Sequence, residues 1–286
     1  MVASVPATYR AFQYVEHGAT EDKLHFNAQV AQETLTNTQV RIQVHSAAVN
    51  PVDWKLLEWS GALFGLPLPT KENPFGIGFD AAGTIVEVGA DVKTLKVGDA
   101  VYAMTPFTKF GSVSEYLAIE EEFVAPKPTN LSFNDAASLP LVVLTSWQAL
   151  VKYAKRRIAK ALGAYVIATT SARNADFVKS LGADEIIDYT TQKWGDVLAA
   201  HSIDVVYDCG MEPAAWNTDA QRVLKQNTGR FVTIERVSDP IIESPIGATL
   251  HNRVLVEPIG EDLRQITELV EKKQVVPVVD SVFPFE

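Results

Sequence analysis

The sequence predicts an α/β protein in two parts, a small antiparallel β barrel or sandwich followed by a doubly wound parallel sheet. Two patterns carry this. Up to about residue 120, short apolar–polar alternations are separated by Gly and Asp turns, as in a closed or stacked antiparallel sheet. From Tyr165 onward, short β-rich runs alternate with helical stretches, as in parallel strands joined by crossover helices.

The elements follow in order. Residues 40–45 (VRIQVH) alternate as a half-buried strand should, and 83–88 (GTIVEV) form a second strand before the Gly89-Ala90-Asp91 turn. Gly98-Asp99 precedes a third strand in 96–104 (KVGDAVYAM), and 112–119 (SVSEYLAI) make a fourth. After Pro128 the character changes. Ser132 is placed to cap a helix, with Asp135 in the first turn where the helix dipole favours negative charge. Residues 164–170 (AYVIATT) read as a buried strand and 175–182 (ADFVKSLG) as a helix closed by its glycine. Short strands are expected at 185–189, 204–209, 229–235 and 252–257. In 261–274, Leu263, Ile266, Leu269 and Val270 share one helical face.

Composition narrows the function classes. An apolar fraction of 47% and a charged fraction of 21% are those of a globular protein. A formal charge of −10 argues against nucleic acid as the default partner, since phosphate binding needs clustered Lys and Arg. The one concentrated basic stretch is 152–160 (KYAKRRIAK). A single cysteine, Cys209, excludes an internal disulfide framework and any multi-cysteine zinc site. No apolar run approaches membrane-spanning length, and the first residues show no apolar signal core, so a cytoplasmic protein is expected.

Four segments carry a likeness. Residues 47–56 (AAVNPVDWKL), 78–89 (GFDAAGTIVEVG), 95–104 (LKVGDAVYAM) and 139–150 (LPLVVLTSWQAL) resemble the medium-chain dehydrogenase/reductase superfamily. Within it they are similar to the zinc-independent, NADPH-dependent quinone oxidoreductases and their enoyl-reductase relatives. LGAYVIATTSARN, LGADEIIDY and DVVYDCG continue the likeness in the same order over nearly the whole chain. The resemblance implies a GroES-like β-barrel catalytic domain at residues 1–127 with a C-terminal return at 275–286. It implies a Rossmann-type domain at 128–274 and an active site in the cleft between the two. A homo-oligomer, dimer or tetramer, joined through an edge strand near 252–257, is implied as well.

Zinc-dependent members of the superfamily supply a Cys ligand and a GHE motif. Here Asn50 stands at the Cys position, and Gly78-Phe79-Asp80 replaces the motif, so Phe79 takes the place of the metal-binding His. An amide and one carboxylate do not make a zinc site. Without a Lewis acid the chemistry narrows to hydride transfer onto an activated acceptor, a quinone or an α,β-unsaturated carbonyl. The resemblance puts Asn50 beside the nicotinamide and substrate, with Asp53 and Trp54 shaping that end and Thr145 on the nicotinamide side. Gly210, which closes DVVYDCG, joins the implied cofactor contacts. Plainer roles also fit: Asn50 suits a turn before Pro51, Asp53 and Asp80 suit buried hydrogen-bonding groups, and Trp54 and Trp147 suit packing.

The end of the 164–170 strand speaks to the cofactor. An NAD site places a carboxylate there for the ribose 2′-OH. This chain has Ser171, Arg173 and Asn174, a hydroxyl and a guanidinium that suit a 2′-phosphate. Tyr189 matches a family Tyr near the same phosphate. NADPH follows, although Ser171 and Asn174 equally suit capping of the next helix.

One piece is missing. A buried strand and a Gly-x-Gly-x-x-Gly-like turn belong between Lys155 and Ala159, yet no Gly occurs between Gly111 and Gly163. Losing the missing strand, the centre of a 3-2-1-4-5-6 sheet, should leave a trench between its neighbours. The family also continues past Phe283 into a further helix and strand. Either residues 147–162 fuse into one helix in a truncated product, or segments of an ordinary enzyme are absent. Three functions are therefore weighed: an NADPH-dependent quinone or enone reductase, a cofactor-free binding or regulatory relative that takes RNA through the basic stretch, and a trans-acting enoyl reductase.

Overall fold

The computed structural model describes residues 5–60, 65–154 and 163–285. The chain divides into two compact units, residues 1–144 with 257–286, and residues 145–256. These divisions fall after the boundaries expected at 127 and before the one at 274.

The first unit is antiparallel. Its elements begin with β1 (Thr8–Tyr14), α1 (Thr20–Lys23), β2 (His25–Ala31), β3 (Gln39–Ala48), α2 (Pro51–Trp59) and β4 (Phe75–Gly76). They continue through β5 (Asp80–Val88), β6 (Ala100–Met104), β7 (Tyr116–Glu120), β8 (Val124–Pro126), α3 (Phe133–Ala137) and α4 (Pro140–Trp147). Five strands form one sheet in the order β7-β3-β5-β6-β8, and β2-β1-β4 form a second. All four expected strands are present. The alternation in β3 places Val40 and Ile42 in a core with Ile85, Val101, Leu117, Ile119 and Val124, which is the period-two burial that sheets of this kind need. Ser132 caps α3, its hydroxyl accepting from the Asp135 N–H at 3.1 Å.

The second unit opens inside α4, whose helix widens into a π-helical stretch at Gln148–Tyr153 closed by Ala154 N–H donating to Ala149 O. The basic segment from Lys155 onward and the junction at 155–162 lie outside the described residues. Beyond them come β9 (Ile167–Thr170), α5 (Ala175–Ser180), β10 (Glu185–Asp188), α6 (Trp194–Val197), β11 (Val205–Asp208), α7 (Asp219–Val223), β12 (Arg230–Thr233) and β13 (Thr249–His251). All pair in parallel, but in two separate sheets, β10-β9 and β11-β12-β13. In the doubly wound order these are positions 3-2 and 4-5-6, and no described strand stands at position 1. Ile187, Trp194, Trp216, Leu224 and Phe231 make the core of this unit.

The strand expected at 252–257 is not there. The ladder ends at His251, and Arg253 takes a left-handed φ of 52° that interrupts extended backbone. Asn252 turns instead to accept the Val237 N–H. Val254 and Val256 are still buried around exposed Leu255, so the alternation in the sequence was real although the pairing was not.

The last helix, α8 (Gly260–Glu271), belongs to the first unit and not to the nucleotide-binding part. Its apolar face of Leu263, Ile266 and Val270 is buried. Gly260 starts it where a Cβ would lie 2.6 Å from Glu122 O and 2.7 Å from Val124 O, so no other residue lets the helix approach β8 this closely. Buried Tyr102 then donates to Leu263 O at 2.9 Å and meets Thr267 Oγ1.

Candidate active site

The site begins with a proline and an asparagine. Pro51 opens α2 with a φ suited to its first turn, and Asn50 precedes it in extended conformation as the N-cap. Asp53 reaches back to accept the Asn50 N–H at 2.5 Å, and its other oxygen accepts the Gly78 N–H at 2.8 Å. Gly78 has φ 91°, and a Cβ there would lie 2.6 Å from Ser112 Oγ, so the backbone can offer that N–H only as glycine. From the neighbouring strand, Asp80 Oδ2 accepts from Asn50 Nδ2 at 2.8 Å. Its Oδ1 accepts the Leu141 N–H, in the first turn of α4, at 2.7 Å.

Asn50 therefore lies between two carboxyls, one holding its backbone and one its side chain. All three groups are buried, Asp53 at 3% and Asp80 at 1% exposure. Burial pushes Asp53 up to about 6, against the pull of its backbone hydrogen bonds. It pushes Asp80 up to about 8, against the hydrogen bonds from Asn50 and Leu141, with the nearby Asp53 charge adding to the rise. Two buried hydroxyls adjoin this group, Ser112 beside Gly78 and Thr105, whose N–H donates to Phe79 O. Neither hydroxyl has a hydrogen-bond partner among the described residues.

The remaining expected residues fall in three places. Trp54 is exposed and packs edge-on against Trp59, with ring centroids 5.0 Å apart. Thr145 is half-buried on α4, in the second unit. Ser171, Arg173, Asn174 and Tyr189 come together at the C-terminal end of the β9–β10 pair, where Asp188 registers with Thr170 and the Tyr189 N–H reaches Thr170 O. Neither Ser171 nor Asn174 makes a side-chain cap bond, so their polar groups are not consumed by the helix that follows. Arg173 and Tyr189 are exposed. Gly210 follows β11 with φ 89°, at the end of the other parallel sheet.

A hydroxyl, a guanidinium and a phenol at the carboxyl end of parallel strands fit a phosphate monoester. Asp188 is the carboxylate at the same end, and hydrogen bonds from Thr190 hold its pKa below the usual range. The stretch where the resemblance expects a pyrophosphate cradle lies outside the described residues, and the sequence provides no glycine there. Asp80 was legible as an acid within an apolar strand, GFDAAGTIVEVG, but its partner Leu141 contributes a backbone N–H that no side-chain pattern reveals.

Comparison with known proteins gives the family. The model of the alcohol dehydrogenase GroES-like domain matches residues 36–129, and that of the zinc-binding dehydrogenases matches residues 181–286. The chain is 33% identical to a 2-methylene-furan-3-one reductase of Solanum lycopersicum, over 99% of this chain and 74% of the relative. It belongs to the medium-chain dehydrogenase/reductase superfamily, in the quinone oxidoreductase-like branch. A chloroplastic NADPH-dependent alkenal/one oxidoreductase of Arabidopsis thaliana is 34% identical over 99% of this chain and 75% of its own length. The structure of a quinone oxidoreductase from Coxiella burnetii superposes with a TM-score of 0.73 at 26% identity, covering 93% of this chain and 88% of that one. The match to the tomato reductase extends over 309 aligned positions against a chain of 286, so the relative carries residues opposite gaps in this chain. No helix among the described residues is long and apolar enough to cross a membrane.

Proposed function

We propose that the chain catalyses NADPH-dependent, zinc-independent hydride transfer to an α,β-unsaturated carbonyl or a quinone. The observation that carries this is identity of 33–34% over 99% of the chain to two reductases, one named for alkenals and enones and one for a methylene-furanone. Both names denote conjugated carbonyl compounds, whose developing oxyanion is delocalised and needs only hydrogen-bond donors.

NADPH supplies the hydride. Ser171, Arg173 and Tyr189 would hold its 2′-phosphate, with Asn174 and Gly210 at the same strand ends, while Asn50 and Thr145 would serve the nicotinamide side. In the first unit, Asp53 fixes the backbone of Asn50 and Asp80 fixes its amide, so the side chain is held before substrate arrives. Zinc independence rests on the donor set: Phe79 has no lone pair to offer, and the amide of Asn50 is already engaged with Asp80. Cytoplasmic residence and a dimer or tetramer belong to the same reading, the latter supported by β13 standing at the end of its sheet.

The test is NADPH oxidation followed by absorbance, with an alkenal and a quinone as acceptors and NADH as the comparison. Turnover with either acceptor, and preference for NADPH, is the expected result. No turnover with either acceptor rejects the reading.

A further inference from the structure

One carboxylate stands where a phosphate is proposed to bind. A phosphate monoester carries roughly 1.5–2 negative charges at neutral pH, and an acid at a strand end favours a free ribose hydroxyl over it. Asp188 closes β10 in register with Thr170, and Ser171 follows Thr170 directly. The carboxylate lies against both strand ends. Its Oδ1 accepts the Thr190 N–H at 3.0 Å and the Thr190 hydroxyl at 2.7 Å, and the Ala172 N–H faces it from the turn after β9. Ala172 stands between Ser171 and Arg173. A phosphate held by those two side chains therefore lies within a Debye length of the carboxylate, about 10 Å at 0.1 M salt. Hydrogen bonds from Thr190 hold the carboxyl below the usual range, so it stays ionised at ordinary assay pH.

The same side chain is needed for the shape of the site. Oδ1 is bonded to the residue two positions on, an Asx turn that wraps the chain around Tyr189. The backbone tightens the turn further. Asp188 O accepts the Thr191 N–H at 3.1 Å and the Gln192 N–H at 2.9 Å, and the Tyr189 N–H donates to Thr170 O at 3.3 Å. Tyr189, 60% exposed, is thus presented to solvent from a fixed turn. Bracing and repulsion come from one carboxyl, yet they are separable, since bracing needs an acceptor and repulsion needs a charge.

We propose that Asp188 is the specificity-determining residue of this cofactor site: its Oδ1 fixes the turn that carries Tyr189, and its charge limits the preference for a 2′-phosphate over a free 2′-hydroxyl. This rests on the reading that Ser171, Arg173 and Tyr189 hold the 2′-phosphate. Arg173 supplies the preference for NADPH, and Asp188 holds that preference to a level at which NADH is still accepted.

The experiment measures binding of two probes to the full chain by calorimetry, adenosine 2′,5′-bisphosphate and 5′-AMP. They differ only in the 2′-phosphate and need no turnover, so the ratio of their affinities is the readout. Asp188→Asn keeps an acceptor for Thr190 and drops the charge. Its ratio should rise about threefold or more at low salt, and the gain should fade in about 0.5 M KCl. Asp188→Ala drops the acceptor as well, and its ratio should lie at least about threefold below that of Asp188→Asn. Asp188→Ser, whose hydroxyl makes the same turn bond more weakly, replaces Asp188→Asn should that variant not fold. Equal ratios in wild type and Asp188→Asn, or a gain untouched by salt, overturn the role of the charge. Equal ratios in Asp188→Ala and Asp188→Asn overturn the role of the brace. Arg173→Ala separates these failures from failure of the underlying reading. If it lowers the ratio while the Asp188 variants do not change it, the phosphate site stands and Asp188 has no part in specificity. If it leaves the ratio unchanged, or the wild type binds neither probe, the 2′-phosphate is not held here and both fall.

Discussion

At the scale of single residues, the two ends of the candidate site make separate predictions. Arg173 is exposed, so Arg173→Ala should leave stability unchanged. If it holds the 2′-phosphate, the variant loses a charge-assisted contact of roughly 1.5–3 kcal/mol. KM for NADPH should then rise about tenfold or more while KM for NADH stays the same; an equal rise for both removes Arg173 from the phosphate. The acids of the first unit predict a pH-dependent stability. Asp53 and Asp80 have folded values of about 6 and about 8, above the ordinary aspartate value of 3.8, so the folded protein keeps protons that the unfolded chain releases. Their contribution is fully present below about pH 4 and is lost as pH rises through the folded values. Between pH 6 and 8, urea denaturation should show wild-type stability falling faster than that of Asp80→Asn, by up to about 1.4 kcal/mol per pH unit. Parallel curves would show that Asp80 does not carry the proton.

At the scale of elements, periodicity located almost everything and pairing corrected the rest. The strands at 40–45, 83–88 and 185–189 were legible because burial on one or both faces writes itself into residue type. The 252–257 strand failed because alternation reports burial, whereas a strand also needs a partner and an extended backbone, and Arg253 denies the second. α8 was legible as a helix from Leu263, Ile266 and Val270, but not as part of the first unit, since a helical stripe does not say which sheet it covers. Gly260 does say so in retrospect, because there is no room for a Cβ beside Glu122 O and Val124 O. Gly260→Val should push α8 off β8 and cost about 2–4 kcal/mol, as overpacking against rigid backbone does. Chemical denaturation reads this directly, and a loss below about 0.5 kcal/mol would mean that α8 contributes little to holding the first unit.

At the scale of the whole molecule, the chain contains two units with unequal sheets. The first has five strands in one ladder around a continuous apolar core. The second has its parallel strands in a pair and a triplet, and the residues proposed for the 2′-phosphate follow the C-terminal ends of the pair β9–β10. A two-stranded sheet is marginal by itself, and this pair depends on α5, which packs on both strands, and on Ile187 in the core with Trp216 and Phe231. Ile187 is the fully buried side chain of that pair, while Ile167, Ala168 and Ile186 are half-buried. Among the described residues no strand pairs with both β9 and β11, so no described ladder joins the pair to the triplet. Hydrogen exchange should show it. Amides of β9 and β10 should exchange at least about a hundredfold faster than those of β3 and β5, through local opening below the global unfolding free energy. Adding NADPH should slow β9 and β10 selectively, because a ligand that bridges Ser171, Arg173 and Tyr189 ties the two strand ends together. Equal protection in both units without NADPH would show that α5 and the apolar core hold the pair as firmly as the five-stranded sheet holds β3 and β5. Protection unchanged by NADPH would place the 2′-phosphate elsewhere.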